Sequence, residues 1–261
     1  MMVSDFIHKL RCFRHYFWYL PQIIYFNFHF LPLSQAKYLP IWVKCRNGIW
    51  KKYHHGQIII DTDKIEFGMI ELGVKQYLDQ REGMAIYNMG KIIFKGKAHI
   101  SHGSYISVGS NGCLTLGEGV GISTSTIFCE KSITIGKNTF LGMGCKIMDS
   151  DYHLIIDILA KSHINPTQSI NIGNYNWLGT DVLVLKGAKT PNHCIVSARS
   201  IISKKYKIPE CSIINNATGN EIILNGYIRD RNIETIKDLK NKSIDNFDEY
   251  IQLLIKNKKI N

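Results

Sequence analysis

The sequence predicts a mainly β fold in which short parallel strands wind into a solenoid, and three observations predict it. First, aliphatic residues fall six apart at Ile135, Leu141 and Ile147, and again at Ile172, Leu178, Val184, Val196 and Ile202, with Thr190 the one polar exception. This is neither the period of strand alternation nor that of a helix, and a short strand every six residues, each ended by a turn, stacks with its aliphatic residues as ladders inside the coil. Second, a glycine follows the aliphatic residue at 136, 142, 173 and 179, where the chain must bend with little steric room. Third, the pattern is weaker but present upstream, at Leu116-Gly117 and Ile122-Ser123, with Ile86 and Ile92 as its possible start. A β-sandwich fits less well, because its turns come roughly every 8–12 residues.

The repeat sets the organisation. Residues 86–216 are expected to form the solenoid, interrupted over 153–169. Residues 1–85 are an aromatic-rich region that caps the open edge of the coil, an edge that otherwise invites pairing with another chain. Residues 217–261 form a tail in which Phe247, Ile251, Leu254 and Ile255 stand at the spacing of a short amphipathic helix. At 261 residues and 45% hydrophobic content, one soluble domain with appendages is expected.

Composition narrows the function classes. Seven cysteines are scattered singly with no CxxC pair, which points away from a disulfide framework or thiolate zinc site and towards a reducing cytoplasm. Residues 1–15 carry Asp5, Lys9, Arg11 and Arg14 and read as no signal peptide. The stretch "YFWYLPQIIYFNFHFLPL" (16–33) holds Pro21, Gln22, Asn27, His29 and Pro32, so it reads as an aromatic segment packed on the main domain. A peripheral contact of residues 1–40 with the inner face of the membrane is the secondary reading. The net charge of +11 favours anionic partners, but no RNP, zinc-finger or helix-turn-helix signature appears, so nucleic acid is not expected.

The repeat breaks at His153. The segment "HLIIDILAKSHINPTQS" (153–169) is too long for a simple turn and of the size of functional loops. A residue at the edge of a rigid coil is well fixed, and an imidazole, largely neutral at cytoplasmic pH, accepts a hydroxyl proton. His153 is therefore the candidate general base. Alternation would place Asp149, Asp151 and His153 on one side of a strand, so either carboxylate is a candidate to hold the imidazole tautomer. Both also suit turns, where Asp is common.

The segments "ITIGKNTFLGMGCKIMDSDYH" (133–153), "INPTQSINIGNYNWLGTDVLVLKGA" (164–188) and "IISKKYKIPECSII" (201–214) resemble the hexapeptide-repeat acyltransferases, and within them the maltose and galactoside O-acetyltransferase branch with its bacterial surface-polysaccharide enzymes. The resemblance covers about half of the chain. It implies a left-handed parallel β-helix, acetyl-CoA as acyl donor and no metal. It further implies acetyl transfer to a sugar hydroxyl with His153 as base and the Thr180 N–H as oxyanion donor. Trp177, Gly179, Ser197 and Ala198 would lie along the pantetheine groove, with Lys204 and Lys205 near the phosphates. It also implies a homotrimer with sites between subunits.

Three departures stand out. "SARS" (197–200) puts Arg199 at a glycine position, either to bind a CoA phosphate or to narrow the groove, "NATG" (216–219) replaces the usual "GNPA", and "STST" (123–126) lacks the acceptor-binding asparagine. Alternatives are transfer to the amine of a nucleotide-linked amino sugar, a zinc-binding trimer of the carbonic anhydrase type, and a non-catalytic solenoid. For zinc, His99, His102, His153, His163 and His193 do not stand at spacings that bring three together.

Overall fold

The computed structural model describes residues 17–44, 56–74, 83–219 and 221–227. After a 3-10 turn at Phe17–Tyr19, helix α1 (Leu20–Phe30) and the short α2 (Leu33–Ala36) lead into the strands. In chain order these are β1 (Ile41–Val43), β2 (Gln57–Ile60), β3 (Ile70–Val74), β4 (Ala85–Asn88), β5 (Lys91–Phe94), β6 (Ala98–Ser101), β7 (Tyr105–Val108) and β8 (Cys113–Leu116). They continue with β9 (Val120–Ile122), β10 (Thr126–Cys129), β11 (Ser132–Ile135), β12 (Phe140–Leu141) and β13 (Lys146–Met148). The hairpin β14 (Ile156–Asp157) and β15 (Ser162–His163) precedes β16 (Ile170–Ile172), β17 (Trp177–Leu178), β18 (Leu183–Leu185), β19 (Ile195–Val196) and β20 (Ile201–Ile202). The last two are β21 (Ser212–Asn215) and β22 (Ile222–Asn225).

Every third strand pairs in parallel, so the chain winds a three-sided parallel β-helix. Sheet A runs β1-β3-β6-β9-β12-β17-β19-β21-β22, sheet B β20-β18-β13-β10-β7-β4, and sheet C β16-β11-β8-β5-β2. Bridges from Asn171 to Lys189 and from Lys189 to Lys205 extend sheet C. The six-residue pattern is this geometry seen end on. Ile147 stacks on Val184 and then Ile202, Leu141 on Leu178, Val196 and Ile214, and Ile135 on Ile172. All of them are at most 1% exposed, each side chain adding about 1.5–3 kcal/mol of burial. Thr190, the polar exception, accepts the Gly173 N–H at 3.1 Å and an Asn176 amide N–H at 2.7 Å through its hydroxyl.

The glycines mark where successive coils touch. A Cβ on Gly136 would lie 2.5 Å from the Gly173 carbonyl carbon, and one on Gly179 2.7 Å from the Ala198 nitrogen. Neither glycine has a left-handed φ, so the demand is close approach between coils, not backbone conformation.

The coil starts earlier than the repeat announced. Strands β1, β2 and β3 belong to sheets A and C, so the solenoid begins at Ile41 and not at residue 86. Ile58, Ile60, Ile70 and Leu72 extend the buried ladders, but the long connections 44–56 and 75–84 break the six-residue spacing that would have revealed them. The cap proper is the helical segment before Ile41. Asn27, fully buried, donates to the Ile41 carbonyl at 2.7 Å and accepts the Ile41 N–H at 3.0 Å, standing in for the strand that β1 lacks. Gln35 donates to the Ile60 carbonyl at 3.0 Å and Gln22 to that of Val43 at 3.4 Å.

The far end uses the same device. Asn216 accepts the Ile201 N–H at 2.7 Å and donates to the Ile201 carbonyl at 2.5 Å, capping the edge strand of sheet B, while β22 closes sheet A antiparallel to β21. The helix expected over 244–260 lies outside the described residues. Among the described residues no helix is long and apolar enough to cross a membrane.

Replacing Asn27 with Leu leaves a buried N–H and C=O of Ile41 without partners. We expect it to lower the unfolding free energy by about 1–3 kcal/mol, read from the denaturant midpoint, whereas Gln22→Leu, at a longer and half-exposed bond, should cost less.

Candidate functional site

The edges between sheets differ in how their backbone is used. Where sheet A turns into sheet B, left-handed residues stack coil on coil: Gly103, Thr124, Gly144, Asp181 and Arg199, the last at φ 60°. The Gly144 N–H donates to Thr124, that of Asp181 to Met143 and that of Arg199 to Thr180, at 3.0, 2.8 and 2.9 Å. The intervening N–H groups of Met143, Thr180 and Ala198 donate to no acceptor among the described residues. Where sheet C turns into sheet A the comparable amides are covered: Asn174 Oδ1 accepts from Lys137 at 2.8 Å and Asn192 Oδ1 from Asn174 at 2.9 Å. Met143, Thr180 and Ala198 thus form a row of unpaired donors on successive coils, where Lys137 and Asn174 at the other edge are covered.

That edge gathers six of the residues singled out from the sequence. Trp177 pairs between Phe140 and Ile195 in sheet A and leads directly into Gly179 and Thr180. Gly179, Ser197 and Ala198 line the turn, and Arg199, exposed, has no ion pair among the described residues. Arg199 here fills a position whose backbone suits glycine, at a cost of roughly 1 kcal/mol. The "STST" segment lies on the same edge, where Thr124 donates to the His102 carbonyl at 3.1 Å and Ser125 to those of Ser123 and Gly142 at 2.7 and 3.1 Å. Those two hydroxyls are committed to the turn.

His153, Asp151, Lys204 and Lys205 lie on the next edge, between sheets B and C. A strand of sheet B separates the two edges, about six residues or roughly 20 Å of extended chain. On this edge the insertion leaves the coil. Asp149 does not share a side with His153: it is fully buried, its Oδ1 accepting from Glu130 at 2.7 Å and its Oδ2 from Lys131 and Ser132 at 2.8 Å each. Three backbone donors engage that buried carboxylate, so it holds the turn of the coil below and is committed away from the exposed imidazole. Strand β13 ends at Met148, so the alternation extrapolated from it does not reach residue 153.

Asp151 is at the surface, 2.5 Å from Lys186 Nζ and 2.9 Å from Asn165 Nδ2. Lys186 first, and Asn165 second, hold its carboxyl below the usual range. A depressed folded-state value means that this tie is present at and above ordinary carboxylate pH and is lost only as the pH falls through that lower value. Asn165 also donates to the His153 carbonyl at 2.8 Å, while its Oδ1 accepts from the Ile155 N–H at 2.8 Å and lies 2.9 Å from His163 Nε2. One amide thereby fixes the backbone of His153, and the exposed imidazole takes no partner among the described residues. Sequence reasoning missed both Lys186 and Asn165. The register pairs Met148 with Leu185, which sets Lys186 one coil above the start of the insertion, but only a count across the interruption exposes it. Lys204 is 2.6 Å from Glu221 and 5.3 Å over the Tyr206 ring, a surface pair worth under about 1 kcal/mol and readily exchanged.

Other chemistries find less support. Among the described residues no three His, Cys, Asp or Glu side chains converge as metal ligands. His99 is 2.9 Å from Glu71, and His193 stacks on Tyr175 at 4.7 Å. Burial pushes the thiols of Cys129, Cys145 and Cys194 up to about 12, 11 and 11, so they stay protonated and poorly nucleophilic.

No family model matches the sequence. The polysialic acid O-acetyltransferase of Neisseria meningitidis is 39% identical over 62 residues, which are 24% of this chain and 29% of that protein. The polysialic acid O-acetyltransferase of Escherichia coli O1:K1 / APEC is 31% identical over 93 residues, 36% of this chain and 28% of that protein. The match thus spans less than a third of the length of either relative. The crystal structure of the polySia specific acetyltransferase NeuO superposes with a TM-score of 0.44 at 19% identity, covering 78% of this chain and 96% of that one.

Two measurements separate these assignments. Asp149→Asn places an amide group against backbone donors and should lower stability by about 1–3 kcal/mol, whereas Asp151→Asn should leave the global unfolding midpoint unchanged. Under native conditions Cys129, Cys145 and Cys194 should escape alkylation by iodoacetamide, scored by peptide mass spectrometry, and react once the chain is unfolded.

Proposed function

We propose that this hexapeptide-repeat β-helix is an acetyl-CoA-dependent O-acetyltransferase that modifies a hydroxyl of a surface polysaccharide, with polysialic acid the first acceptor to test. The row of unpaired N–H groups at Met143, Thr180 and Ala198, beside an unpaired Arg199, carries this reading. Such a row suits the amides of an extended pantetheine arm, and the guanidinium suits a phosphate. The segments that match two polysialic acid O-acetyltransferases supply the acceptor class.

The chemistry follows from the groups available. His153 accepts the proton of the acceptor hydroxyl as its oxygen bonds to the thioester carbonyl carbon. The resulting oxyanion accepts a hydrogen bond from the Thr180 N–H. Collapse breaks the C–S bond, and the imidazolium returns the proton to the departing CoA sulfur. No acyl-enzyme forms. Because His153 and Thr180 occupy different edges of the β-helix, on successive coils, the reading calls for a second subunit whose His153 edge faces the Thr180 edge of the first. A homotrimer satisfies this with three equivalent sites. Asp151 and Asn165 then act on the loop backbone as positioning residues, and Lys204 exchanges Glu221 for phosphate.

The test is release of CoA thiol from acetyl-CoA in the presence of polysialic acid. His153→Ala should lower kcat by about 10²–10⁴ with an unchanged unfolding midpoint. Full activity in that variant would overturn the assignment.

A further inference from the structure

The outer face of the cap is apolar and uncharged. Residues 16–36 contain no Asp, Glu, Lys or Arg. Helix α1 turns Ile23, Phe26 and Asn27 onto the coil and leaves its other side to solvent. Trp18 is 83% exposed, Phe17 57%, Phe28 50% and Tyr25 49%, with Leu33 beyond the helix at 70%. Trp18, Tyr25 and Phe28 stand seven and three residues apart, a spacing that puts them on one side of the helical segment as a stripe. Single exposed apolar residues are ordinary, but a run of large aromatics with no intervening charge marks a contact surface.

The sequence on either side of the stripe is basic. Residues 1–60 hold eight Lys and Arg against one acid, Asp5, and of the acids that follow, Asp61 is ion-paired with Lys95 and Glu66 with Lys64 and Lys97. Lys9, Arg11 and Arg14 precede the stripe, Lys37 follows it, and the next four are Lys44, Arg46, Lys51 and Lys52. A second copy would bring together two chains whose first 60 residues are both strongly basic. An anionic bilayer complements both parts, since Trp and Tyr rings favour the headgroup level and basic residues the negative surface.

We propose that the stripe over the 3-10 turn and α1 is a peripheral membrane-docking face for anionic bilayers, with Trp18, Tyr25 and Phe28 as its anchors and Lys37, together with the basic sequence before residue 60, as the electrostatic component. No residue of this face belongs to the catalytic reading, so the two stand or fall separately.

The test is co-sedimentation of the full chain with vesicles of phosphatidylcholine alone or mixed with phosphatidylglycerol. Partition should be at least about tenfold stronger onto the mixed vesicles and should weaken with added salt. The combined variant Trp18→Gln, Tyr25→Gln, Phe28→Gln should lose about tenfold or more of that binding while keeping its melting temperature and its acetyl transfer to soluble polysaccharide. Lys37→Gln, which leaves the anchors intact, should weaken binding about fivefold. Wild-type protein remaining in the supernatant with mixed vesicles would overturn the proposal. So would variants that bind as the parent does, or a vesicle-free oligomeric state altered by the triple change, which would make the face an interface between copies.

Discussion

The contact of each coil with the next is the constraint on which the rest of the structure depends. Parallel strands stack about 4.8 Å apart, and at the turns there is no space for a side chain between them. The carbonyl carbon of Gly173 would sit 2.5 Å from a Cβ on Gly136. The aliphatic ladders and the turn glycines are thus one requirement seen from inside and outside the coil. A stack so closely spaced fixes its edges, where the candidate site residues stand.

Two consequences follow at the edges. Where a side chain serves as a turn cap, as Asn174, Asn192 and Asp149 do, the backbone donors of that turn are consumed. Where no cap is present, the N–H groups of Met143, Thr180 and Ala198 keep their hydrogen-bonding capacity at fixed spacing. The same amide chemistry closes the ends of the coil. Asn27 and Asn216 each satisfy both backbone groups of one edge residue, Ile41 and Ile201, which protects sheets A and B from pairing with other chains.

What the sequence revealed was whatever depends on local period. The ladder from Ile135 to Ile202, the hydroxyl exception at Thr190 and the insertion at 153 all follow from counting by six. The start at Ile41 was hidden because long connections separate β1, β2 and β3, and a ladder with unequal spacing has no period. Asp149 was assigned to the wrong side because strand alternation was extended past the end of β13. Asn27, Asn165, Lys186 and Asn216 act through partners 12 to 35 residues away. Polar caps of that kind leave no periodic trace. The row of free amides at Thr180 was indicated by resemblance alone, since a donor is defined by what fails to bond to it.

The cap and the edges also fix a distance. From β1 to β12 sheet A climbs through β3, β6 and β9, four strand spacings, or about 19 Å at ~4.8 Å each. Helix α1 adds about 10 Å below β1. If the stripe on α1 rests on a bilayer, the coil that launches the His153 loop stands roughly 30 Å above the headgroups. A lipid-linked sugar of one or two residues does not span that height. A long polysaccharide does, and it can pass along an edge that runs parallel to the coil axis while the enzyme remains docked. With the stripe so placed, an acceptor held in the bilayer and shorter than about 30 Å would not reach the His153 loop.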